Sequence, residues 1–325
     1  MSEPSRETML DIFTKMSLLK QNDERMRSVI KLGRLVMPYY SVRGQEAIPA
    51  AISASLRDTD FICTTYRGTH DSLAKGCPVD LLWAELAGRA TGTCKGKGGP
   101  MHITHPESGV MVTTGIVGST MPIACGLAWG SKLKGDDAVT IAYFGDGASN
   151  IGAFHESLNL ASLWKLPVVF VCSNNGYAEH TKTAACTAID EIARRADSYT
   201  MPGVRVNGNH PLEMYAVAKE AIDRARAGEG PTLIEAMTFR FFGHVFGDDD
   251  KYMDPGEKSE RQKDDPYPFY RNWLLSSSNA TEEELAAIEA AHAQEIETAL
   301  QFALDSPFPD VSEVRRDVYA YEVVE

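Results

Sequence analysis

Two short polar motifs, each placed directly after an apolar run, most constrain what this 325-residue chain can fold into. The first run, residues 138–144, ends at Gly145-Asp146-Gly147, and the second, residues 167–172, ends at Asn174-Asn175. Between the motifs, apolar residues recur at helical spacing: Phe154, Leu158 and Ala161. This pattern predicts a strand, a crossover helix and a second strand. Because right-handed crossovers place parallel strands side by side, both motifs are expected at one edge of a sheet.

A metal–diphosphate site is the chemistry that this arrangement favours. Mg²⁺ prefers six oxygen ligands and commonly takes only a few of them from protein. Asp146 would supply a carboxylate, Asn175 a side-chain oxygen, and the turn at Tyr177 a backbone carbonyl. Gly147 would let a diphosphate approach the backbone, and a helix beginning near Asn150 would point its amino end at phosphate oxygens. Either motif alone is typical of a tight turn, but the two together indicate a magnesium–diphosphate site and hence thiamine diphosphate.

Residues 145–181 resemble the alpha subunit of thiamine diphosphate-dependent 2-oxo acid and acetoin dehydrogenases. Further segments look like family landmarks in family order: Gly44-Gln45-Glu46-Ala47, Thr65-Tyr66-Arg67, residues 88–92, residues 94–99, Gly115-Ile116-Val117-Gly118 and Gly243-His244. The resemblance covers roughly residues 10–310. It implies the thiamine diphosphate-binding α/β fold, with a doubly wound, mostly parallel sheet, a helical amino-terminal arm and a helical carboxyl-terminal region.

The resemblance also implies which residues hold the cofactor. They are Tyr66, Arg67, Gly115, Val117, Gly145, Asp146, Gly147, Ala148, Asn175, Tyr177 and His244. Asp146, Asn175 and Tyr177 would be the metal ligands. The implied catalytic residues are His244 and Tyr66. In relatives, Tyr66 and Arg67 meet the diphosphate, while residues 115–118 lie against the aminopyrimidine and Val117 acts through its carbonyl.

Ordinary structural interpretations remain open for several of these positions. A surface ion pair would explain Arg67, a loop turning into a helix would explain residues 115–118, and a lone histidine such as His244 is more often structural. The run 95–102 looks like a basic phosphate cradle, yet it lacks the strand-then-helix context and the Lys-Ser/Thr ending of a P-loop. We interpret it as a structured loop lining the site.

Two positions depart from the family pattern. Relatives commonly carry a histidine where this chain has Thr69, with His70 displaced by one, and Tyr40 also occupies a position that is often histidine. Both differences would alter polar groups near the reactive carbon of the cofactor. They therefore leave the substrate and the reaction type less certain than the cofactor.

The reaction implied by the resemblance uses the thiazolium carbon of the cofactor as a nucleophile and electron sink. A 2-oxo acid would lose carbon dioxide, or acetoin would be cleaved, and the acyl unit would pass to a lipoyl-bearing acyltransferase. In this family the glutamate that activates the aminopyrimidine belongs to a beta subunit, so an α2β2 heterotetramer with its site between unlike subunits is expected. Residues 174–179 and 242–248 resemble the acetoin branch slightly more than the pyruvate branch.

Two other functions are compatible with these residues. One is an acyloin or 1,2-dicarbonyl lyase on the same scaffold that needs no lipoyl acceptor, which the differences at Tyr40 and Thr69 would permit. The other is a noncatalytic subunit that binds the cofactor for structure and recruits partners through its helical arm. The presence of Asp146, Asn175 and His244 argues against the noncatalytic subunit.

One domain spanning residues 1–325 is expected. It comprises a helical arm (1–43), an α/β core (44–247) and a final region of loop and helices (248–325). The spacing of apolar residues predicts an amphipathic helix over residues 7–36, whose apolar stripe must pack on something, a partner subunit being one candidate. Residues 248–268 look like an exposed loop, and residues 281–303 like a long helix. An apolar run at residues 234–242 looks like a strand.

Composition excludes several classes of partner. A net charge of −13 argues against nucleic acid as a partner, because proteins bind phosphate backbones through clustered Lys and Arg. No apolar run approaches the roughly 20 residues that span a bilayer, and the amino terminus lacks the apolar core of a secretory signal, so a cytoplasmic protein away from membranes is expected. The six cysteines form no Cys-x-x-Cys pair, which predicts free, mostly buried thiols.

Overall fold

A six-stranded parallel sheet is the centre of the computed structural model, which describes residues 4–319. The strands are β1 (Phe61–Thr65), β2 (Val110–Thr114), β3 (Thr140–Gly145), β4 (Val168–Asn174), β5 (Tyr177–Ala178), β6 (Thr181–Lys182), β7 (Gly203–Asn207) and β8 (Thr232–Met237). The sheet has the order β2-β1-β3-β4-β8-β7, and β5 pairs with β6 in a separate antiparallel ribbon. The predicted parallel α/β fold is confirmed.

The pairing of β3 with β4 brings the two polar motifs together. The strands run parallel, with Gly145 opposite Ser173 at their carboxyl ends. Asp146 follows the first of these strands directly, and Asn175 follows the second. Both motifs therefore lie at one edge of the sheet, as the predicted βαβ unit requires.

Helices cover both faces of the sheet. They are α1 (Arg6–Lys31), α2 (Ala47–Ser53), α3 (Thr69–Ala74), α4 (Val79–Leu86), α5 (Thr120–Lys134), α6 (Gly152–Trp164), α7 (Thr183–Cys186), α8 (Pro211–Arg226), α9 (Pro255–Arg261), α10 (Pro266–Ser276) and α11 (Glu282–Asp305). Short 3-10 helices lie at Gly99–Met101, Pro106–Ser108, Asp146–Asn150, Ile192–Tyr199, Gln262–Asp264 and Val311–Arg315.

Alternation along the strands explains the double winding. In β3, Ile141 and Tyr143 belong to the core shared with α1, α2, α8 and α11. Their neighbours Ala142 and Phe144 belong to the opposite core, shared with α5 and α6. Because successive strand side chains point to opposite faces, a continuous apolar strand needs a helical layer on each side.

The amino-terminal helix α1 is buried within the chain itself. It ends at Lys31, five residues before the predicted end, and Gly33 follows with a left-handed φ of 69°. Its apolar stripe comprises Met9, Ile12, Phe13, Met16, Leu19, Met26 and Val29. This stripe packs in the core that α2, α10 and α11 share. No partner subunit is needed to cover it.

The expectation of an exposed loop over residues 248–268 is wrong in its second half. Helix α9 begins after Asp254, and α10 begins after Asp265; each aspartate accepts a backbone hydrogen bond as an N-cap and precedes a proline. Asp-Pro is thus a helix start signal at both places, although the same residues are also typical of loops. The long helix expected at residues 281–303 is present as α11, which Thr281 caps.

The strand expected at residues 234–242 is shorter than predicted, because the chain leaves the sheet after Met237. Beyond that point, the Phe241 amide donates to the Arg43 carbonyl at 3.1 Å, and the Thr238 hydroxyl donates to the Gly44 carbonyl at 3.1 Å. Pairing with this distant segment replaces pairing with a strand. It also carries residues 238–244 across the edge where the polar motifs lie.

All six cysteines are free, and four of them are buried, as predicted. Among residues 4–319, no helix combines the length and the apolar character needed to cross a bilayer. The first three and last six residues of the expected 1–325 domain lie outside the described residues.

Candidate active site

A cavity of about 280 Å³ opens at the carboxyl edge of β1, β3 and β4. Its lining includes most of the predicted site residues: Tyr66, Arg67, Val117, Gly145, Asp146, Gly147, Ala148, Asn175 and Tyr177. Two predicted residues, Gly115 and His244, do not belong to the lining. Thr114 and Gly118 line the cavity beside Val117, and His244 lies next to the lining residues Tyr66 and Arg67.

Asp146 supplies a buried carboxylate on one side of the cavity. It is 1% exposed, and burial raises the pKa of its carboxyl above the usual range. The Thr183 hydroxyl donates to it, and the Asn175 side-chain oxygen accepts from the Tyr177 amide at 3.2 Å. Within residues 4–319, no three His, Cys, Asp or Glu side chains cluster to hold a metal ion. A cation at Asp146 would therefore need further oxygens from a ligand.

Two buried arginines, Arg67 and Arg240, also line the cavity. Arg67 donates to the Ser41 carbonyl at 2.7 Å and the His244 carbonyl at 2.9 Å. Arg240, which is 2% exposed, donates to the Glu179 carbonyl and the Tyr252 hydroxyl. All these acceptors are neutral oxygens. Burial and the nearby Arg240 lower the pKa of Arg67 to about 10.

The arginines fit an anionic ligand. Among the described residues neither Arg67 nor Arg240 forms an ion pair, although buried charges are normally paired. Arg240 Nε and Gln45 Nε2 are buried donors without a hydrogen-bond partner, and both residues line the cavity. A diphosphate would satisfy these donors and relieve the repulsion between the guanidiniums. The surface ion pair considered for Arg67 is excluded by its burial.

His244 lies at the rim in a setting that keeps it neutral. Its Nδ1 is 3.4 Å from Arg67 Nη2, which can only donate, so the proton of the neutral ring belongs on Nε2. Burial and the charges of Arg67 and Arg240 lower the pKa of His244 to about 4. The side chain can therefore donate from Nε2 at neutral pH without carrying a charge.

Tyr40 and Thr69, the two departures from the family pattern, lie in different surroundings. The ring centre of Tyr40 is 4.7 Å from that of Tyr66 and 5.4 Å from that of His244. Thr69 is buried at the start of α3 and does not line the cavity, whereas His70 does. The Nδ1 of His70 is 3.1 Å from the Arg67 carbonyl. The histidine displaced by one position thus still faces the cavity.

The run 95–102 does not line the cavity, contrary to expectation. Its last residue, His102, lies behind the wall: a Cβ added to Gly115 would be 3.7 Å from its ring. The run lies further from the cavity than residues 114–118, which form this part of its wall.

Sequence reasoning missed Gln45, Thr183 and Arg240. Gln45 belongs to a segment that resembles the family but has no predicted role in the site. Thr183, the first residue of α7, donates to Asp146 although it lies 37 residues further along the chain. Arg240 carried a signal that could have been used. A single arginine within the apolar run 234–242 is out of place in a strand, so it should have suggested a functional site.

The fold and the cavity together define an α/β enzyme that binds its ligand at the carboxyl edge of a doubly wound sheet. The model of the family described as dehydrogenase E1 component matches residues 14–312. The chain belongs to this family, whose members depend on thiamine diphosphate.

Several known proteins are similar in sequence to this chain over almost its whole length. The alpha subunit of acetoin:2,6-dichlorophenolindophenol oxidoreductase from Bacillus subtilis is 43% identical, over 98% of this chain and 96% of the relative. The subunit of the same name from Cupriavidus necator is 38% identical, over 97% of this chain and 95% of the relative. The pyruvate dehydrogenase E1 component subunit alpha from Rhizobium meliloti is 35% identical, over 98% and 91%. Their names as alpha subunits imply a beta subunit as partner.

Proposed function

We propose that this chain is the alpha subunit of a thiamine diphosphate- and Mg²⁺-dependent dehydrogenase that cleaves acetoin or decarboxylates a 2-oxo acid, either pyruvate or a branched-chain acid. The acyl unit passes to a lipoyl acceptor. The proposal rests on the charged lining of the cavity, which combines the buried carboxylates of Asp146 and Asp71 with two buried arginines that have neutral hydrogen-bond acceptors. A diphosphate with its metal ion complements that distribution of charge.

Each side of the cavity has a role in holding the cofactor. Asp146, Asn175 and the Tyr177 carbonyl bind Mg²⁺, which takes its remaining ligands from phosphate and water. Arg67 and Arg240 bind the diphosphate oxygens. Gly145, Gly147 and Ala148 present backbone to the diphosphate, and residues 114–118 form the wall beside the aminopyrimidine. When bound, thiamine diphosphate supplies a nucleophilic carbon and an electron sink.

The rim residues act on the substrate. His244 is neutral and donates its Nε2 proton to the substrate oxygen as negative charge develops there. Burial raises the pKa of Tyr66, so its hydroxyl stays protonated and orients the same oxygen. Together with Tyr40 these rings form an aromatic rim that excludes water from the reacting atoms.

Acetoin is the preferred substrate. The identity to the Bacillus subtilis acetoin oxidoreductase subunit, 43%, exceeds the 35% to the Rhizobium meliloti pyruvate dehydrogenase subunit. Residues 174–179 and 242–248 also resemble the acetoin branch.

The working assembly is an α2β2 heterotetramer in the cytoplasm. The beta subunit contributes the glutamate that activates the aminopyrimidine, and a lipoyl-bearing acyltransferase accepts the product. We propose a single domain for residues 1–325, in which the core 44–247 holds the cofactor and the arm 1–43 and the final region 248–325 flank that core in the sequence.

A lyase is the second candidate, which the departures at Tyr40 and Thr69 would permit; Tyr40 favours it because its ring lies 4.7 Å from that of Tyr66 and 5.4 Å from that of His244. Such an enzyme releases an aldehyde or acid without a lipoyl acceptor. A noncatalytic subunit that recruits partners through α1 has less support, because the apolar stripe of α1 is already covered by α11 and α10.

Dye reduction by the native assembly tests the proposal. The chain is purified from its own cells with whatever stays bound, then assayed with 2,6-dichlorophenolindophenol, thiamine diphosphate and Mg²⁺. Acetoin, pyruvate and branched 2-oxo acids are compared as substrates. Cofactor-dependent reduction with acetoin, in a fraction containing a beta-like chain, supports the proposal. Cleavage of acetoin without dye reduction would instead identify the lyase.

A further inference from the structure

The glycine-rich run 94–99 encloses a carboxylate of the chain itself. Glu85, near the end of α4, is fully buried. Its Oε2 accepts from the amides of Cys94 at 2.7 Å and Gly96 at 2.9 Å. Its Oε1 accepts from the amides of Gly98 at 2.8 Å and Gly99 at 2.9 Å. The run thus forms a nest of amides around an anion, as phosphate-binding loops do, but the anion is internal.

Glycines are required for the run to wrap around Glu85. Gly96 has a left-handed φ of 74°, and a Cβ there would be 2.6 Å from the Gly88 carbonyl carbon. A Cβ at Gly92 would meet the Glu85 carboxylate, and one at Gly98 would meet the His102 carbonyl. The backbone therefore closes on the carboxylate more tightly than side chains would allow.

The exit of this run is fastened to the wall of the cavity. The Ile103 amide donates to the Thr113 hydroxyl at 2.6 Å, and the Thr113 amide donates to the Ile103 carbonyl at 2.8 Å. Thr113 belongs to β2, whose last residue, Thr114, lines the cavity. The His102 ring lies close to Gly115, since a Cβ added to Gly115 would be 3.7 Å from it. A continuous path thus runs from the Glu85 carboxylate to residues 114–118.

We infer that Glu85 is a positioning residue: its carboxylate fixes the run 94–102, and that run holds residues 114–118 in the place where they meet the cofactor. This inference rests on the proposed function for the identity of the cofactor. Shape alone would not distinguish glutamate from glutamine at this position. Only the carboxylate can accept from four amides, because a glutamine would turn its NH₂ group toward two of them.

The test uses Glu85→Gln in the assembled alpha–beta enzyme, with Glu107→Gln as the matched control. Glu107 is an exposed carboxylate outside the run. We expect exchange of the amides of residues 94, 96, 98 and 99 to accelerate at least tenfold in Glu85→Gln. The dissociation constant for thiamine diphosphate with Mg²⁺ should rise about tenfold, while kcat at saturating cofactor stays within about twofold. Glu107→Gln should match the wild type in all three measurements.

A second variant keeps the test decisive if Glu85→Gln does not fold. Thr113→Val preserves shape and removes the hydroxyl that anchors Ile103, so it should weaken cofactor binding while exchange around Glu85 stays slow. Wild-type exchange and affinity in Glu85→Gln, or unchanged affinity in Thr113→Val, would overturn the inference. Absence of cofactor binding by the wild-type assembly would instead overturn the proposed function, and the exchange measurement would still decide what Glu85 holds.

Discussion

The buried carboxylate of Asp146 opposes the stability of the cofactor-free chain. Burial raises the pKa of this group in the folded state, so above its unfolded pKa the ionised form costs folding free energy. Asp146→Asn should therefore stabilise the cofactor-free protein at pH 7 by about 0.5–2 kcal/mol, the common size of a stabilising substitution. The same change replaces the proposed metal-binding carboxylate by a neutral amide, which holds Mg²⁺ less tightly. Thermal unfolding with and without cofactor measures both effects.

The two effects separate when cofactor is added. At a free concentration of 100 Kd for the wild type, thiamine diphosphate with Mg²⁺ should stabilise the wild type by about 2.7 kcal/mol and Asp146→Asn by much less. Asp190→Asn, at an exposed position, serves as the control and should respond like the wild type. If the cofactor stabilises Asp146→Asn as much as it stabilises the wild type, this carboxylate is not the metal ligand.

His244 makes the cofactor-free chain sensitive to acid. Its pKa in the folded chain, about 4, lies below the reference value near 6.5. Between these two pH values the His244 ring is protonated in the unfolded chain and neutral in the folded chain. Stability attached to this residue is lost as pH falls from 6.5 toward 4. Allowing for partial exposure, wild type should lose about 1 kcal/mol more than His244→Gln between pH 7 and pH 5. Equal losses in urea titrations would contradict the assignment.

At the scale of elements, the turn after β3 contains two glycines that differ in the space around them. Gly145 has an extended backbone, with a φ of −93°, and no atom lies within 4 Å of an added Cβ. At Gly147 an added Cβ would lie 2.6 Å from the Ala178 Cβ in β5. The first position thus tolerates a side chain in the cofactor-free chain, and the second requires β5 to move.

Alanine at these two glycines should have opposite effects on stability. Gly145→Ala should stabilise the cofactor-free chain by about 0.4–1 kcal/mol, because it restricts the unfolded state. Gly147→Ala should destabilise it by about 1–3 kcal/mol through overpacking against β5. Urea denaturation of the two variants forms a matched pair. If both substitutions changed the free energy of unfolding in the same direction, the turn would not be packed against β5.

The elements that could be predicted from sequence are those with local causes. The unit from β3 to β4 follows from two apolar runs, a helical spacing and two turns within 38 residues. The cofactor cavity is harder to predict, because Arg67 and Arg240 lie 173 positions apart and meet only when the chain leaves the sheet after β8. The nest around Glu85 was visible as a glycine run, but nothing local showed that its anion is a side chain.

At the scale of the whole molecule, the distribution of charge makes metal and cofactor binding depend on each other. The chain carries a net charge of −13, which repels a diphosphate. Inside the cavity, Arg67 and Arg240 are opposed by Asp146 and Asp71, so the buried groups alone cannot neutralise a diphosphate. Conversely, no metal-holding group of three His, Cys, Asp or Glu side chains forms around Asp146 among residues 4–319, so this carboxylate is too little to hold Mg²⁺ tightly by itself.

Neither ligand should therefore bind well without the other. We expect millimolar Mg²⁺ alone, or thiamine diphosphate with EDTA, to raise the unfolding temperature of the assembly by less than about 1 °C. Both together should raise it by several degrees, since about 2.7 kcal/mol is expected at 100 Kd and each kcal/mol is worth roughly 2–4 °C in a protein of this size or larger. Ca²⁺ serves as the control for charge without octahedral preference, and it should give a smaller shift. A full shift in EDTA would mean that the arginines bind the diphosphate unaided and that Asp146 serves another purpose.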